Sequence, residues 1–240
     1  MTTDPYGIKT YQSKNEKSER ERLFHLLKSC PIPDDQLLSN LGLFLDSKNL
    51  ARILFFDFLF RQILDVQGVV MEFGTRWGQN LGLFSAMRGI YDPFNRQRKI
   101  IGFDTFQGFP EILPEDGTSD MMKPNNLAVS EGYTDYLCEI LRAHEKLNPL
   151  SHLEKFELCS GDAPEELEKF LARAPETIIA LAYFDFDLYQ PSLKCMELIK
   201  NRVTKGSVIG LDEVNDPDSP GETKALPVPL QPLPAAKTKE

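Results

Sequence analysis

The sequence predicts an α/β protein built on a doubly wound, mostly parallel sheet, with helices added at its N-terminus. Five short apolar runs, at 69–74, 99–104, 155–162, 178–187 and 206–213, read as strands. Helix-forming stretches alternate with them, which is the pattern of a parallel sheet covered on both faces. Each run also ends in acids: Glu72, Asp104, Asp162, Asp185 with Asp187, and Asp212 with Glu213. Ligands of such sheets bind outside the carboxyl ends of the strands, where these acids gather.

The elements follow in order. Residues 1–15 are polar and read as loose. "EKSERERLFHLLKSC" (16–30) reads as a helix with an apolar patch at Leu23, Phe24, Leu26 and Leu27. "PDDQLLSNLGLFL" supplies a short second helix, capped by Asp34 or Asp35. Ser47 caps a stronger helix over about 48–65, apolar on most sides and therefore expected to be buried. "VVMEFG" is the first strand and "QNLGLFSAMRGIY" the helix after it; "KIIGFD" is the second strand. Residues 105–132 form a long loop rich in Gly, Pro, Asp and Asn, and a loop of that length in a compact domain reads as functional, such as a lid. "TDYLCEILRAHEKL" is a helix, "KFELCSGD" the third strand and "APEELEKFLARA" a helix. "IIALAYFDFD" is the fourth strand, and "SLKCMELIKNRV" is a helix that tolerates Pro191 in its first turn. "GSVIGLDE" is the fifth strand. The organisation is a helical extension over 1–66, a ligand-binding domain over 67–226 and a flexible Pro-rich tail over 227–240.

The chain has 240 residues, enough for one sizeable core. It carries 27 basic and 36 acidic residues, a net charge of −9, which argues against a nucleic-acid partner. The longest apolar run is broken by Asp57 and Arg61, so no bilayer span is expected. The four cysteines are widely spaced, and no apolar leader opens the chain. Reduced thiols in a cytoplasmic protein are the expectation.

Two stretches carry chemistry. "EFGTRWGQN" (72–80) runs from strand through a glycine turn to a helix, which lets backbone approach a ligand and frees helix N-terminal amides. Asp104, ending the next strand, could accept ribose hydroxyls. A nucleoside-type cofactor follows, and NAD fits this geometry as well. "LAYFDFDLYQPS" (181–192) sets two carboxylates at the end of an apolar run, where an unpartnered charge is costly. Either a cation lies near, or one acid caps the following helix and the other pairs with a surface lysine.

With "GFDTFQGFPE" (102–111) and "GLDE" (210–213), these stretches resemble the macrocin O-methyltransferase family of class I S-adenosylmethionine-dependent methyltransferases, Rossmann-like enzymes that include sugar-hydroxyl methylators of antibiotics. The resemblance covers about 45–226. It implies that Glu72, Gly74, Thr75 and Gly78 hold the methionine and sugar parts of the cofactor. It places Asp104 on the ribose, Thr105 and Phe106 beside the adenosine, and Gly161 and Asp162 at the adenine. Asp185 borders the cofactor and, with Asp212 and Glu213, binds Mg²⁺; Asp187 is the implied base. An all-carboxylate set suits a hard, oxygen-loving ion. The chain departs from the family in having Phe186 between the two acids, Glu213 in place of a second Asp, and no further strands after the fifth. The implied activity is O-methylation of a small hydroxylated acceptor such as a sugar or glycoside. An NAD-linked oxidoreductase and a non-catalytic methyltransferase-like binding protein are the alternatives. An open sheet edge would also leave room for a homodimer.

Overall fold

A computed structural model describes residues 2–226; the expected tail, 227–240, lies outside the described residues. The central sheet has five strands, all parallel: β3 (Val69–Phe73), β4 (Ile100–Asp104), β5 (Phe156–Ser160), β6 (Ile179–Phe184) and β7 (Val203–Leu211). They lie in the order β5-β4-β3-β6-β7. Helices α4 (Gln79–Tyr91), α5 (Tyr133–Leu147), α6 (Ala163–Arg173) and α7 (Tyr189–Ile199) lie between successive strands in the chain. The predicted α/β class and strand-helix alternation are what the molecule adopts.

Side-chain alternation explains the two apolar layers. Val70, Ile100, Leu181 and Tyr183 face one side, with Phe56, Phe60, Leu81, Phe84 and Leu141 packed on them. Met71, Phe73, Ile101, Phe103, Ala182 and Phe184 face the other, against Leu167, Phe170, Cys195 and Ile199. Each such fully buried Phe, Leu or Ile contributes about 1.5–3 kcal/mol, so the strands cannot slip by a residue without losing both layers. All four cysteines are free. No helix among the described residues is long and apolar enough to cross a membrane.

The N-terminal third differs from expectation in three ways. Residues 2–10 are not loose: β1 (Thr2–Thr3) and β2 (Lys9–Thr10) pair antiparallel. Asn126 donates its Nδ2 to the Tyr6 carbonyl at 2.7 Å, and Lys9 ion-pairs with Asp218. Helix α1 (Lys14–Lys28) and the short α2 (Asp34–Leu37) follow. Next comes α3 (Ser47–Gln62), capped by Asp46, whose side chain accepts the Asn49 amide, rather than by Ser47. Helix α3 is also not buried all round. Phe56, Leu59 and Phe60 face the sheet, while Leu54 and Phe58 stay more than half exposed. The chain's last described element, α8 (Gly221–Ala225), packs on α7.

Candidate active site

Strand order reverses between β3 and β6, so the connections at their carboxyl ends diverge and leave room for a ligand. A cavity of about 380 Å³ opens there. That volume lies in the usual ~300–1,000 Å³ range of small-molecule sites. Gly74, Thr75, Asp104, Thr105, Gly161, Asp162, Asp185, Asp187, Asp212 and Glu213 all line it. Glu72, Gly78 and Phe106 sit behind the wall. Glu72 is buried and accepts the Asn80 Nδ2 at 2.6 Å; Gly78 packs on Leu137; Phe106 belongs to the apolar layer.

The two strand exits touch. Gly74 has φ +94°, and a Cβ there would collide with the Asp185 carbonyl, so only glycine fits. Asp104 holds the next turn in place: its Oδ2 accepts the Arg76 amide at 2.7 Å and its Oδ1 the Phe106 amide at 2.6 Å. Burial pushes the Asp104 carboxyl up despite these amides. A carboxylate offers about four lone pairs, so acceptor capacity remains. Asp162 caps α6 by accepting the Glu165 amide at 3.4 Å.

Several buried polar atoms in this wall have no partner among the described residues: Thr75 Oγ1, Arg76 Nε, Asn80 Oδ1, Ser119 Oγ and, just behind, Glu72 Oε2. Such orphans cost about 1–3 kcal/mol each, so a polar ligand that satisfied them would recover that cost. The cradle therefore fits a polar, nucleoside-bearing cofactor.

The acid rim is organised differently from expectation. Strand β6 ends at Phe184, so Asp185 and Asp187 do not share a face by strand alternation. The chain turns instead, with Asp187 in the left-handed region at φ +62°, and both acids still line the cavity. Phe186, where the family has glycine, packs on the stacked rings of Phe73 and Phe184, its centroid 5.9 Å and 6.4 Å away. The cation at the rim is Arg52, from α3. Its Nη2 donates to Asp185 Oδ2 at 3.0 Å and its Nη1 to Asp212 Oδ1 at 3.1 Å. The Tyr183 hydroxyl donates to Asp212 as well.

That placement answers the question of a divalent ion on the donor set. Arg52 spans Asp185 and Asp212, the Glu213 carboxyl leans toward Asp216, and no three acids, His or Cys among the described residues converge as ligands. As arranged, Asp185, Asp212 and Glu213 do not fit Mg²⁺.

Burial, together with Asp185, Glu213 and Glu222, holds the Asp187 carboxyl well above the usual carboxylate range. Burial and Asp212 push Asp185 up, against Arg52. Burial, with Asp212 and Asp216 beside it, pushes Glu213 up to about 7. Arg52, Ser119 and Glu222 left no mark in the motif reading. The one available signal for Arg52 was an arginine within a mostly apolar helical run.

No family model matches the chain, and a search of curated proteins finds no match either. Solved structures do match. The crystal structure of the calicheamicin methyltransferase CalS11 is 44% identical, with TM-score 0.88, over 90% of this chain and 84% of that one. This chain belongs to the S-adenosylmethionine-dependent O-methyltransferases. The apo structure of CalS11, described as a TDP-rhamnose 3'-O-methyltransferase, is 41% identical with TM-score 0.79, over 90% of this chain and 85% of that one. The O-methyltransferase NovP, at 22% identity, TM-score 0.54 and coverage of 72% and 68%, shares the fold.

Proposed function

We propose that this O-methyltransferase moves the methyl group of S-adenosylmethionine onto a hydroxyl of a deoxysugar carried on a nucleoside diphosphate, in the manner of macrocin-type sugar O-methyltransferases. The observation that carries the reading is one cavity holding both an unsatisfied polar cradle, at Thr75 and Asn80, and a buried carboxylate, Asp187, in a chain 44% identical to CalS11. The acceptor class follows from CalS11, a TDP-rhamnose 3'-O-methyltransferase.

S-adenosylmethionine, when bound, supplies a methyl group activated on a positive sulfonium. Asp104, Gly161 and Asp162 would hold its nucleoside, and Gly74, Thr75 and Asn80 its amino-acid end. The cavity wall carries eight acids against Lys9, Arg52 and Arg76, a negative field that favours a cationic cofactor. The same field repels a diphosphate, so only the sugar enters and the phosphates stay at the mouth. Asp187 takes the hydroxyl proton as the oxygen–methyl bond forms and the carbon–sulfur bond breaks. The products are the methyl ether, S-adenosylhomocysteine and a protonated Asp187. Burial raises the proton affinity of Asp187, which favours capture of the hydroxyl proton. Arg52 bridges Asp185 and Asp212 and so leaves Asp187 without a cationic partner among the described residues.

The test is TDP-rhamnose with methyl-¹³C-labelled S-adenosylmethionine, read by NMR for a new methoxy signal. Formation of the methyl ether is expected. Binding of NAD without binding of S-adenosylhomocysteine would overturn the reading.

A further inference from the structure

The geometry points to Glu222 as a positioning residue that sets the turn carrying Asp187 and locks it to the loop carrying Glu213. This inference rests on the reading of Asp187 as the base. Glu222 lies on α8 and is completely buried. Its Oε1 accepts the Phe186 amide at 2.7 Å and the Asp187 amide at 3.2 Å; its Oε2 accepts the Glu213 amide at 3.2 Å. One carboxylate therefore spans the exits of β6 and β7.

The turn needs such a hold. Asp187 sits at φ +62°, a region that costs a non-glycine residue energy unless its surroundings enforce it. Helix α8 comes close enough to enforce it because residue 221 is glycine. A Cβ there would lie 2.5 Å from the Asp187 carbonyl oxygen and 2.6 Å from the Tyr189 nitrogen. Further contacts fix α8 itself. Lys224 Nζ donates to the Glu115 carbonyl at 2.7 Å, Thr223 Oγ1 accepts the Asn215 amide at 2.8 Å, and the same hydroxyl donates to the Glu213 carbonyl at 3.1 Å. On the far side of the turn, Asp116 Oδ1 accepts the Tyr189 amide at 2.6 Å. Glu222 and Asp116 thus grip the two ends of one left-handed turn, and the base sits between them.

The conservative variant separates its two attachments. In Glu222→Gln an amide oxygen still accepts from Phe186 and Asp187, but its NH₂ group faces the Glu213 amide donor to donor. Glu222→Ala removes all three bonds. With TDP-rhamnose as acceptor, kcat should fall about 10²-fold in Glu222→Ala, the scale on which a roughly 1 Å misplacement acts, and less in Glu222→Gln. S-adenosylhomocysteine affinity by calorimetry and the acceptor KM should hold, because Glu222 is buried and does not line the cavity. A drop in affinity matching the loss of kcat would mean general collapse and would overturn the proposal. Hydrogen exchange gives a readout independent of turnover. The amides of Phe186 and Asp187 should exchange at least tenfold faster in Glu222→Ala and stay protected in Glu222→Gln. Native protection in the alanine variant would refute the positioning role. Should Glu222→Ala fail to fold, Glu222→Gln must still expose the Glu213 amide to exchange; protection there as in the native protein refutes the proposal. Absence of methyl transfer by the unaltered enzyme, with the exchange pattern as expected, would instead defeat the reading of the function.

Discussion

Arg52 donates to Asp185 across 3.0 Å although the two residues are 133 apart in the chain. The pair joins the N-terminal helix α3 to the exit of β6, and Asp212 closes it into a three-membered set. Its members are about one-fifth to one-third exposed, between surface pairs worth about 0–1 kcal/mol and buried pairs whose rupture costs about 3–5 kcal/mol. Arg52→Ala should therefore destabilise by about 2 kcal/mol in denaturant unfolding, as two acids lose their counter-charge. It should also raise affinity for Mn²⁺, read by electron paramagnetic resonance, because the cation competing for Asp185 and Asp212 is gone. Equal Mn²⁺ binding with and without Arg52 would show that the guanidinium does not occupy the ion's place.

Asp187→Asn keeps the shape of the side chain and removes the base. Methyl transfer should slow by about 10²–10⁴-fold, the range for loss of a general base, while S-adenosylhomocysteine affinity holds. Full turnover in this variant would assign the proton to another acceptor.

Thr75→Val tests the cofactor cradle. The buried Thr75 hydroxyl has no partner in the ligand-free chain, so removing it should leave stability unchanged or raise it by about 1 kcal/mol. Affinity for S-adenosylhomocysteine should fall about 10- to 150-fold, a single lost hydrogen bond to a charged ligand being worth about 1.5–3 kcal/mol. Unchanged affinity would place the cofactor elsewhere in the cavity.

Glu213 carries a pH dependence of known sign. Its carboxyl is raised to about 7 in the folded chain, from about 4.3 when unfolded. The folded state therefore holds the proton more tightly. The stability it contributes is complete below about pH 4 and is lost as pH rises through about 7. The melting temperature of Glu213→Gln minus that of the unaltered protein should climb between about pH 5 and pH 8. A flat or falling difference would show that Glu213 is ionised as readily in the folded chain as in the open one.

The five strands were legible because burial on both faces imposes near-continuous apolar runs such as Val69–Phe73 and Ile179–Phe184. The acids at their ends were legible for the same reason, standing where an apolar run stops. The N-terminal helices were less so. The all-round apolarity of 48–65 suggested burial, yet Leu54 and Phe58 remain exposed, because residue type reports preference and not which face meets the sheet. Tyr6 and Lys9 looked loose because their partners, Asn126 and Asp218, lie more than a hundred residues away. Glu222 was hidden because it ends no strand and belongs to none of the motifs, and its partners Phe186, Asp187 and Glu213 are reached only by folding.

Read alone, the chain dictates a parallel sheet with a rim of carboxylates, since local periodicity and burial are short-range properties that each segment carries with it. Folding decides which charges meet. Asp185 and Asp212 suggested a metal ion until α3 packed beside them and placed Arg52 within 3.1 Å of both. Coulomb attraction depends on distances between segments far apart in sequence, and those distances exist only once the helix has docked on the sheet.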